Sequence, residues 1–476
     1  VPRTGVVPQP GSTAPWNSVY ARLAETRGRP EAQNSPEIGA LRAGLRRMLL
    51  GDEPTFAALA DRYMTVDDLL AIRERVIGTG RIGGKAAGML LARRVLDAAA
   101  EDSQSGLCDA LAAHDSFYIG SDVFFTFLVE NGLFRRRLEV HREEDLSHER
   151  YEALEGEFLA GTFPAPIMEA FRAMLAHYGE APIIVRSSSF LEDGFGHPFA
   201  GKYRSEFCPN QGSPDERLEG LLGAVKRVYA SALSPSALSY RRRHDLAEPD
   251  EQMAILVQRV AGGRYQRFHL PTIAGVAFSR DLYPWSERID PDRGLVRLVF
   301  GLGTRAVDRV EDYPRMVALS HPALRPESDD QVALYSQHRV DLIDREANRF
   351  LSLPLAEVLA DRDYPGLNLL VSEMREGFPY DPPGNFLRAA PRDLVLTFNG
   401  LIRRTNLIAT LDAILFRLER AYGQPVEIEF AGHLAPDRRV CIDLLQCRPM
   451  ALPLPMPGWA SEAFTADIPA ERVLFQ

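Results

Sequence analysis

An arginine followed by three serines stands at the end of a short apolar run. Residues 183–201 read IIVRSSSFLEDGFGHPFAG, so that Ile-Ile-Val precedes Arg186 and the segment closes on Gly201. A guanidinium can fork onto phosphate oxygens, hydroxyls can donate to an anion, and glycine lets backbone N–H groups approach closely. The stretch predicts a strand that ends in an anion-binding loop. Taken alone, it is better explained as an ordinary surface loop with a solvated arginine.

A lysine in a glycine-rich segment offers a second anion-binding group. Residues 78–88 read GTGRIGGKAAG, with Lys85 at the start of a helical run. Backbone N–H groups, the helix dipole and the ammonium group can hold a phosphate together at such a place. The segment is not a Walker A loop, because that motif needs glycine where Thr79 stands and serine or threonine where Ala86 stands. By itself, glycine that relieves crowding before a helix explains the pattern better.

Two acidic residues and a polar pair face each other across a predicted hairpin. One strand, 426–430, reads VEIEF, and its partner, 440–448, reads VCIDLLQCR. Alternate side chains share one face of a strand, which groups Glu427 with Glu429 and Gln446 with Arg448. Since Mg²⁺ takes one or two carboxylates plus phosphate oxygens, the hairpin could bind Mg²⁺ and nucleotide phosphates together. An exposed hairpin edge whose charges oppose aggregation is the open alternative.

Helices and strands with a recognisable period must position these groups. Helical patterns over residues 166–177 and 405–422 precede the strands of the arginine loop and of the hairpin. Apolar, β-branched composition predicts three strands of one sheet, at 254–260, 272–279 and 295–300. Residues 317–396 carry many prolines and short apolar pieces, and no element is assigned there.

The N-terminal region carries none of these groups. Residues 1–16 are rich in Pro, Gly, Ser and Thr and predict a flexible lead. Residues 36–76 repeat apolar side chains at spacings of three and four, which predicts a helical extension. At 476 residues, with 45% hydrophobic and 25% charged side chains, the chain is expected to form two or three domains or lobes.

Charge and cysteine content narrow the expected partners and compartment. The net charge of −10, without a polybasic tract, disfavours a nucleic-acid surface. Neither a signal peptide nor an apolar run of about 18 residues is present, so no membrane partner is expected and the cytoplasm is the expected location. The four cysteines show no C-x-x-C spacing, which disfavours a zinc site or a disulfide framework.

Four motifs occur in a fixed order: GGKAAG with its helix, VRSSSFLEDGFGHPFAG, ILVQRV with GVAFSRD, and VEIEF with LLQCRP. In this order they resemble the N-terminal nucleotide-binding part of the phosphoenolpyruvate synthase and pyruvate phosphate dikinase family. The resemblance implies an α+β, ATP-grasp-like fold in which two lobes grip ATP. The first lobe would be 77–250 with the RSS loop, and the second 251–450 with the hinge and the acidic hairpin. Residues 1–76 would be the lead and helical extension, and 451–476 a Pro-rich linker to a missing domain.

The same resemblance implies roles for residues of the first lobe and the hinge. Lys85 and Arg186 are implied ligands of the triphosphate, and Gly201 and Ser205 belong to the loop that closes over the phosphates. Gln258 falls on the segment between the lobes that holds the adenine edge. Cations so placed neutralise charge on a phosphoryl group, whose transfer depends mainly on positioning and electrostatics.

Roles for the hairpin follow from the resemblance as well. Glu429, with Glu427 beside it, matches the acidic position that holds Mg²⁺. Gln446 and Arg448 match the polar pair that contacts the nucleotide and the transferred phosphate. The resemblance thus makes Arg186 and Arg448 the catalytic residues, with ATP and Mg²⁺ as the implied cofactors.

Two features depart from the family pattern. The family has an acidic residue in its GLGE element where this chain has Thr304, followed by Arg305. None of the ten histidines stands in the T-S-H setting typical of the family's phosphate acceptor. The phosphohistidine-type acceptor domain is therefore expected either in cis, missing from a truncated chain, or in trans on a partner polypeptide.

The predicted function is an ATP-binding phosphotransferase module of the phosphoenolpyruvate synthase type, which need not be active alone. It would transfer phosphate from Mg-ATP to a histidine on the missing or partner domain. Two alternatives stay open. One is a non-catalytic nucleotide-binding module used for regulation, and the other is the ATP module of a related dikinase whose acceptor is rifampin or a glucan.

Overall fold

The computed structural model describes residues 15–29, 35–101, 110–143, 146–192, 201–243, 252–307, 312–384 and 389–450. The predicted lead and the predicted C-terminal tail lie outside these residues, except that a helix begins at Pro15. Among the described helices, none combines the length and the apolar character that crossing a bilayer requires.

Four helices form the N-terminal extension: Pro15–Ala24 (α1), Pro36–Leu50 (α2), Pro54–Tyr63 (α3) and Val66–Glu74 (α4). Ser35 caps α2 by accepting a hydrogen bond from Ile38 N at 3.2 Å. Thr65 and Asp68 form a capping box at the start of α4. The predicted helical extension is confirmed.

Seven helices accompany the first sheet: Gly84–Glu101 (α5), Ser121–Glu130 (α6), Leu133–Arg142 (α7), His148–Ala160 (α8), Ala165–Tyr178 (α9), Pro214–Ser231 (α10) and Pro235–Arg243 (α11). Five more follow: Thr304–Val307 (α12), Leu355–Val358 (α13), Leu367–Leu370 (α14), Asn399–Arg404 (α15) and Leu407–Tyr422 (α16). Pro291–Arg293, Asp329–Gln331 and Pro391–Asp393 are single 3₁₀ turns.

The first sheet has the strand order β1-β2-β5-β3-β4. Its members are Val76–Ile77 (β1), Ser116–Ile119 (β2), Ile183–Ser189 (β3), Ser205–Cys208 (β4) and Met253–Arg259 (β5). β1 and β2 are parallel, and the other pairs are antiparallel. Phe127, Phe158 and Phe171, fully buried, belong to the hydrophobic core that covers one face of this sheet. The core holds β3 in place, so Arg186 sits on a rigid element.

Twelve further strands follow in chain order: Gly263–Tyr265 (β6), Phe268–Leu270 (β7), Ile273–Phe278 (β8), Leu295–Val299 (β9), Arg315–Ala318 (β10), Arg339–Asp344 (β11), Arg349–Pro354 (β12), Val371–Arg375 (β13), Phe378–Tyr380 (β14), Leu394–Leu396 (β15), Val426–Leu434 (β16) and Val440–Pro449 (β17). The second sheet is antiparallel, in the order β10-β9-β8-β16-β17. Two smaller sheets have the strand orders β12-β11-β7-β6 and β14-β13-β15. Their strands β11 to β15 lie in the region 317–396, where no element was assigned from the sequence.

One prediction about strand pairing is wrong. The three apolar segments expected in one sheet are β5, β8 and β9, and β5 lies between β2 and β3 in the first sheet. Only β8 and β9 pair with each other, in the second sheet. An apolar, β-branched run marks a buried strand but carries no information about its partner. The lobe boundary at residues 250 and 251 stays a prediction, although the strand that follows it belongs to the first sheet.

A single hydrophobic cluster joins the N-terminal extension to the second sheet. Leu45 and Leu49 of α2, Leu91 of α5, and Ile428 and Leu444 of the hairpin are members of it, each at most 1% exposed. The extension is therefore part of the main core, and α5 is held between the extension and the β16–β17 hairpin.

Candidate nucleotide site between the two sheets

A cleft of about 670 Å³ lies between the first and second sheets. Most of the predicted site residues line it: Lys85, Arg186, Gly201, Ser205, Gln258, Glu429, Gln446 and Arg448. Of the predicted residues, only Glu427 is absent from the lining. The volume of the cleft falls in the range of about 300–1,000 Å³ that is usual for small-molecule sites.

The start of α5 presses directly against the end of β3. Gly83 has a φ of +80°, and a Cβ there would stand 1.5 Å from the Ser188 carbonyl oxygen. A Cβ on Gly84 would stand 1.9 Å from the Glu192 carbonyl oxygen. Glycine is required at both positions because no side chain fits between the helix and the strand. The glycines of the GGKAAG motif therefore place Lys85 beside the RSS segment.

Lys85 is buried and already paired. Its Nζ donates to Glu192 Oε1 at 3.1 Å and to Ser187 Oγ at 3.4 Å, and the residue is only 7% exposed. Glu192 is a site residue that sequence reasoning missed. Its place in the motif was visible, but a distance of 107 residues separates it from the lysine that it contacts.

The hydroxyls of the three serines after Arg186 already make hydrogen bonds within the protein. Ser188 Oγ donates to the Ile82 carbonyl at 2.8 Å and accepts from Ala86 N at 3.0 Å. Ser187 Oγ donates to Glu192 Oε1 at 3.1 Å. All three serines are fully buried. Ser188 joins α5 to β3 and is not among the residues that line the cleft.

Arg186 reaches from the first sheet to the second. Its Nη2 donates to Glu429 Oε2 and, at 2.8 Å, to Gln446 Oε1, while Nη1 donates to the Leu445 carbonyl at 3.4 Å. The buried Nε has no hydrogen-bond partner among the described residues. Arg186 lines the cleft, and its guanidinium is a group that can bind an anion there.

The hairpin pairs as the sequence predicts. Glu427 stands opposite Arg448 and Glu429 opposite Gln446, and a β-bulge follows Glu429. Arg448 Nε donates to Glu427 Oε1 at 2.6 Å. Both glutamates of the first hairpin strand are thus bound to an arginine, Glu427 to Arg448 and Glu429 to Arg186.

Positive charge around Glu429 keeps its carboxyl ionised. Burial by itself would raise the pKa, but the charges of Arg186, Lys85 and Arg448 and the hydrogen bond from Arg186 outweigh it. The pKa of Glu429 is therefore lower than usual. A carboxylate that stays charged in a cleft lined with cations can ligate a metal ion.

The other end of the cleft is largely apolar. Ile184 and Leu302 line it, and Phe207 and Phe350 stack with their ring centroids 5.4 Å apart and their planes at 16°. Gln258 closes this end at 4% exposure, with Nε2 3.1 Å from Met89 Sδ. Flat apolar walls beside a polar strand end suit a purine base.

The GLGTR element forms its own polar network. Thr304 Oγ1 donates to Asp341 Oδ2 at 2.6 Å, and Arg305 Nε donates to Asp341 Oδ1 at 3.0 Å. Arg305 also binds Asp312, at 2.9 Å. Asp341 lines the cleft from β11, in the region where no element was assigned from the sequence, so its carboxylate was not predicted.

The described residues do not form a metal site from protein side chains alone. Among these residues, no three His, Cys, Asp or Glu side chains are grouped so that they could hold an ion. A hard cation bound at Glu429 would therefore need further oxygen ligands from the nucleotide, which is how Mg²⁺ is commonly held.

The model of the family described as pyruvate phosphate dikinase, AMP/ATP-binding domain, matches residues 79–453. A search of curated protein sequences finds no match.

Proposed function

The chain belongs to the pyruvate phosphate dikinase AMP/ATP-binding domain family, and from that membership we propose that it binds Mg-ATP in the cleft and passes a phosphoryl group to a histidine on another domain. ATP or AMP binding by a phosphotransferase module is what the family provides. The proposal goes further by naming the residues, the metal and the kind of acceptor.

The meeting of cations and carboxylates from both sheets carries this proposal. Lys85 and Arg186 come from the first sheet and its helix, and Arg448 and Glu429 come from the hairpin of the second. Three cations around one cleft can neutralise much of the charge of a triphosphate, and holding the phosphate groups in place favours their transfer.

Each residue then has a physical task. Lys85 and Arg186 hold phosphate oxygens on one side, and Arg448 with Gln446 holds the transferred group on the other. Gln258 and the backbone after β5 would hold the adenine edge. Gly201 and Ser205, which border the cleft at the start of β4, would lie over the phosphates.

Glu429 is the proposed magnesium ligand, with Glu427 as a second carboxylate two residues away on the same strand. When bound, Mg²⁺ would neutralise charge on the phosphate oxygens and orient them. Both carboxylates are paired with arginines, so binding would require Arg186 and Arg448 to turn toward phosphate while the carboxylates turn toward the metal. The lowered pKa of Glu429 supports this role, since only the ionised form binds a metal.

Calorimetric titration with Mg-ATP tests the site. Arg186→Gln should weaken binding by about tenfold or more, because losing one charge-assisted hydrogen bond is worth at least about 1.4 kcal/mol. Arg280→Gln is the matched control, since Arg280 binds Glu419 at 2.6 Å outside the cleft and should leave affinity unchanged. Equal affinity in both variants would contradict the assignment.

Transfer is tested by incubating the same proteins with labelled ATP and a separately expressed histidine domain of the dikinase family. Label on the histidine with the wild type and Arg280→Gln, and its loss with Arg186→Gln, supports the phosphotransferase. Mg-ATP binding without label on any histidine domain would favour the regulatory module. The departure from the family pattern at Thr304 and Arg305 is the observation that favours this alternative. The choice among pyruvate, rifampin and a glucan as final acceptor follows from which histidine domain is labelled.

A further inference from the structure

The Glu192 carboxylate occupies a place in the cleft that suits a phosphate oxygen. Oε1 accepts from Lys85 Nζ and from Ser187 Oγ, each at 3.1 Å, and Oε2 accepts from Ser189 N at 3.1 Å. Glu192 lines the cleft and is 1% exposed. An ammonium group, a hydroxyl and a backbone N–H are the donors that anion sites use. The protein thus supplies its own anion to this cradle.

Glu192 differs from the other two carboxylates that pair with cleft cations. Glu429 and Glu427 share a strand of the second sheet and can be taken up by a metal ion. Glu192 lies in the turn after β3, where its backbone N donates to the Ser189 carbonyl at 3.2 Å. Its position is set by the same turn that carries its donors, and its carboxylate neutralises Lys85 directly.

We propose that Glu192 is a displaceable counter-anion of the phosphate site. In the nucleotide-free protein it neutralises Lys85, and on binding it yields the ammonium group to a phosphate oxygen. Glu192 thereby lowers and sets the affinity of the cleft for phosphate groups. This inference rests on the proposed function, because it presumes that phosphates bind beside Lys85.

Removing the charge of Glu192 should increase affinity. In a Glu192→Gln protein, the buried Lys85 loses the carboxylate to which it is hydrogen-bonded, which raises the free energy of the unliganded protein. A bound anion restores the compensation, so that binding becomes more favourable. If Glu192 only shaped the turn, its replacement would weaken binding or leave it unchanged. The direction of the change therefore separates the two roles.

The experiment is calorimetric titration of the full chain with tripolyphosphate in the presence of a metal chelator. Glu192→Gln should bind about tenfold more tightly than the wild type. The control is Glu373→Gln, because Glu373 is buried to a similar degree, at 2% exposure, and is paired with a cation, Arg375 at 2.6 Å, but lies outside the cleft. The control should bind as the wild type does, which excludes an effect of net charge alone.

A double-mutant cycle tests whether Glu192 acts through Lys85. In a Lys85→Met background, the gain from Glu192→Gln should disappear, because no ammonium group is left to be released. A gain that persists without the lysine overturns the proposal. So does an affinity in Glu192→Gln that is equal to or below that of the wild type.

Glu192→Asp keeps the proposal testable if Glu192→Gln does not fold, as judged by circular dichroism. This variant shortens the side chain by one methylene, weakens the contact of the carboxylate with Lys85 while leaving the donors of the cradle in place, and should tighten tripolyphosphate binding by about two- to threefold. Unchanged or weaker binding overturns the inference. A wild type that binds neither tripolyphosphate nor Mg-ATP counts against the proposed function itself. If the wild type binds both ligands, and Glu192→Gln binds tripolyphosphate with the same affinity as Glu373→Gln, only the counter-anion role of Glu192 is overturned.

Discussion

Charge compensation dominates the site at the scale of single residues. Lys85, Arg186 and Arg448 each pair with a carboxylate, Glu192, Glu429 and Glu427 respectively. Buried charges are tolerated only when paired, so a cleft that receives phosphates must hold counter-ions when it is empty. Ligand binding then exchanges one set of partners for another.

The Glu429–Arg186 pair should give stability that depends on pH. At pH 7, Glu429→Gln should lower the free energy of unfolding by about 1–3 kcal/mol, the range for a hydrogen bond to a charged group. A carboxyl whose folded pKa is lowered stabilises the protein above its ordinary pKa and loses that effect as pH falls through the folded value. Urea unfolding should show a constant difference between wild type and variant from about pH 6 to 8, which shrinks below about pH 4.5. A difference that grows on acidification would contradict the pairing.

Close packing of α5 on β3 decides the site geometry at the scale of elements. Ser188 bonds to both sides of the helix start, at Ile82 and Ala86, and the glycines remove the side chains that would keep the two apart. The position of Lys85 relative to Arg186 therefore depends on three residues that contact no ligand in the proposal, namely Gly83, Gly84 and Ser188.

Gly83→Ala should disrupt this junction. The added Cβ would meet the Ser188 carbonyl at 1.5 Å in a backbone conformation of positive φ, so we expect a loss of more than about 4 kcal/mol in unfolding free energy or a failure to fold. Gly220→Ala is the control, because this exposed glycine lies inside α10 with no atom near the added Cβ. There alanine should be neutral or stabilise by up to about 1 kcal/mol. Chemical denaturation measures both; a Gly83→Ala protein of normal stability would refute the close contact.

The N-terminal extension and the nucleotide cleft depend on one core at the scale of the whole molecule. Leu49 of α2 belongs to the same cluster as Leu91 of α5 and Ile428 of the hairpin, and its carbonyl accepts a hydrogen bond from Ile82 N at 3.0 Å. The extension thus supports the helix that carries Lys85 on the side away from the cleft.

Leu49→Ala should therefore weaken the whole protein. Since the side chain is fully buried, the loss of contacts and the cavity should lower the unfolding free energy by about 2–5 kcal/mol. Leu138→Ala on α7, where the leucine is 42% exposed, should change it by less than about 0.5 kcal/mol. Urea midpoints compare the two. If the Leu49→Ala protein unfolds at the same urea concentration as the wild type, the extension is independent of the main core.

Much of the site was determined by the sequence, because local spacing fixes it. Alternation along a strand placed Glu427 and Glu429 on one face, and the turn between the strands set them opposite Arg448 and Gln446. The helical period predicted the N-terminal extension and the helices before both site strands. Motif order gave the family, and eight of the nine predicted residues line one cleft.

Only the tertiary structure decided which distant groups meet. The pairing of β5 with the first sheet, the contact of Glu192 with Lys85, and the approach of Asp341 to Thr304 each join residues far apart in the chain. The composition of a strand indicates that the strand is buried but not which strand it pairs with. A single acidic residue likewise does not indicate which cation it will neutralise. Those choices follow from how all the elements pack together, so the counter-ions of the phosphate site became visible only in the folded molecule.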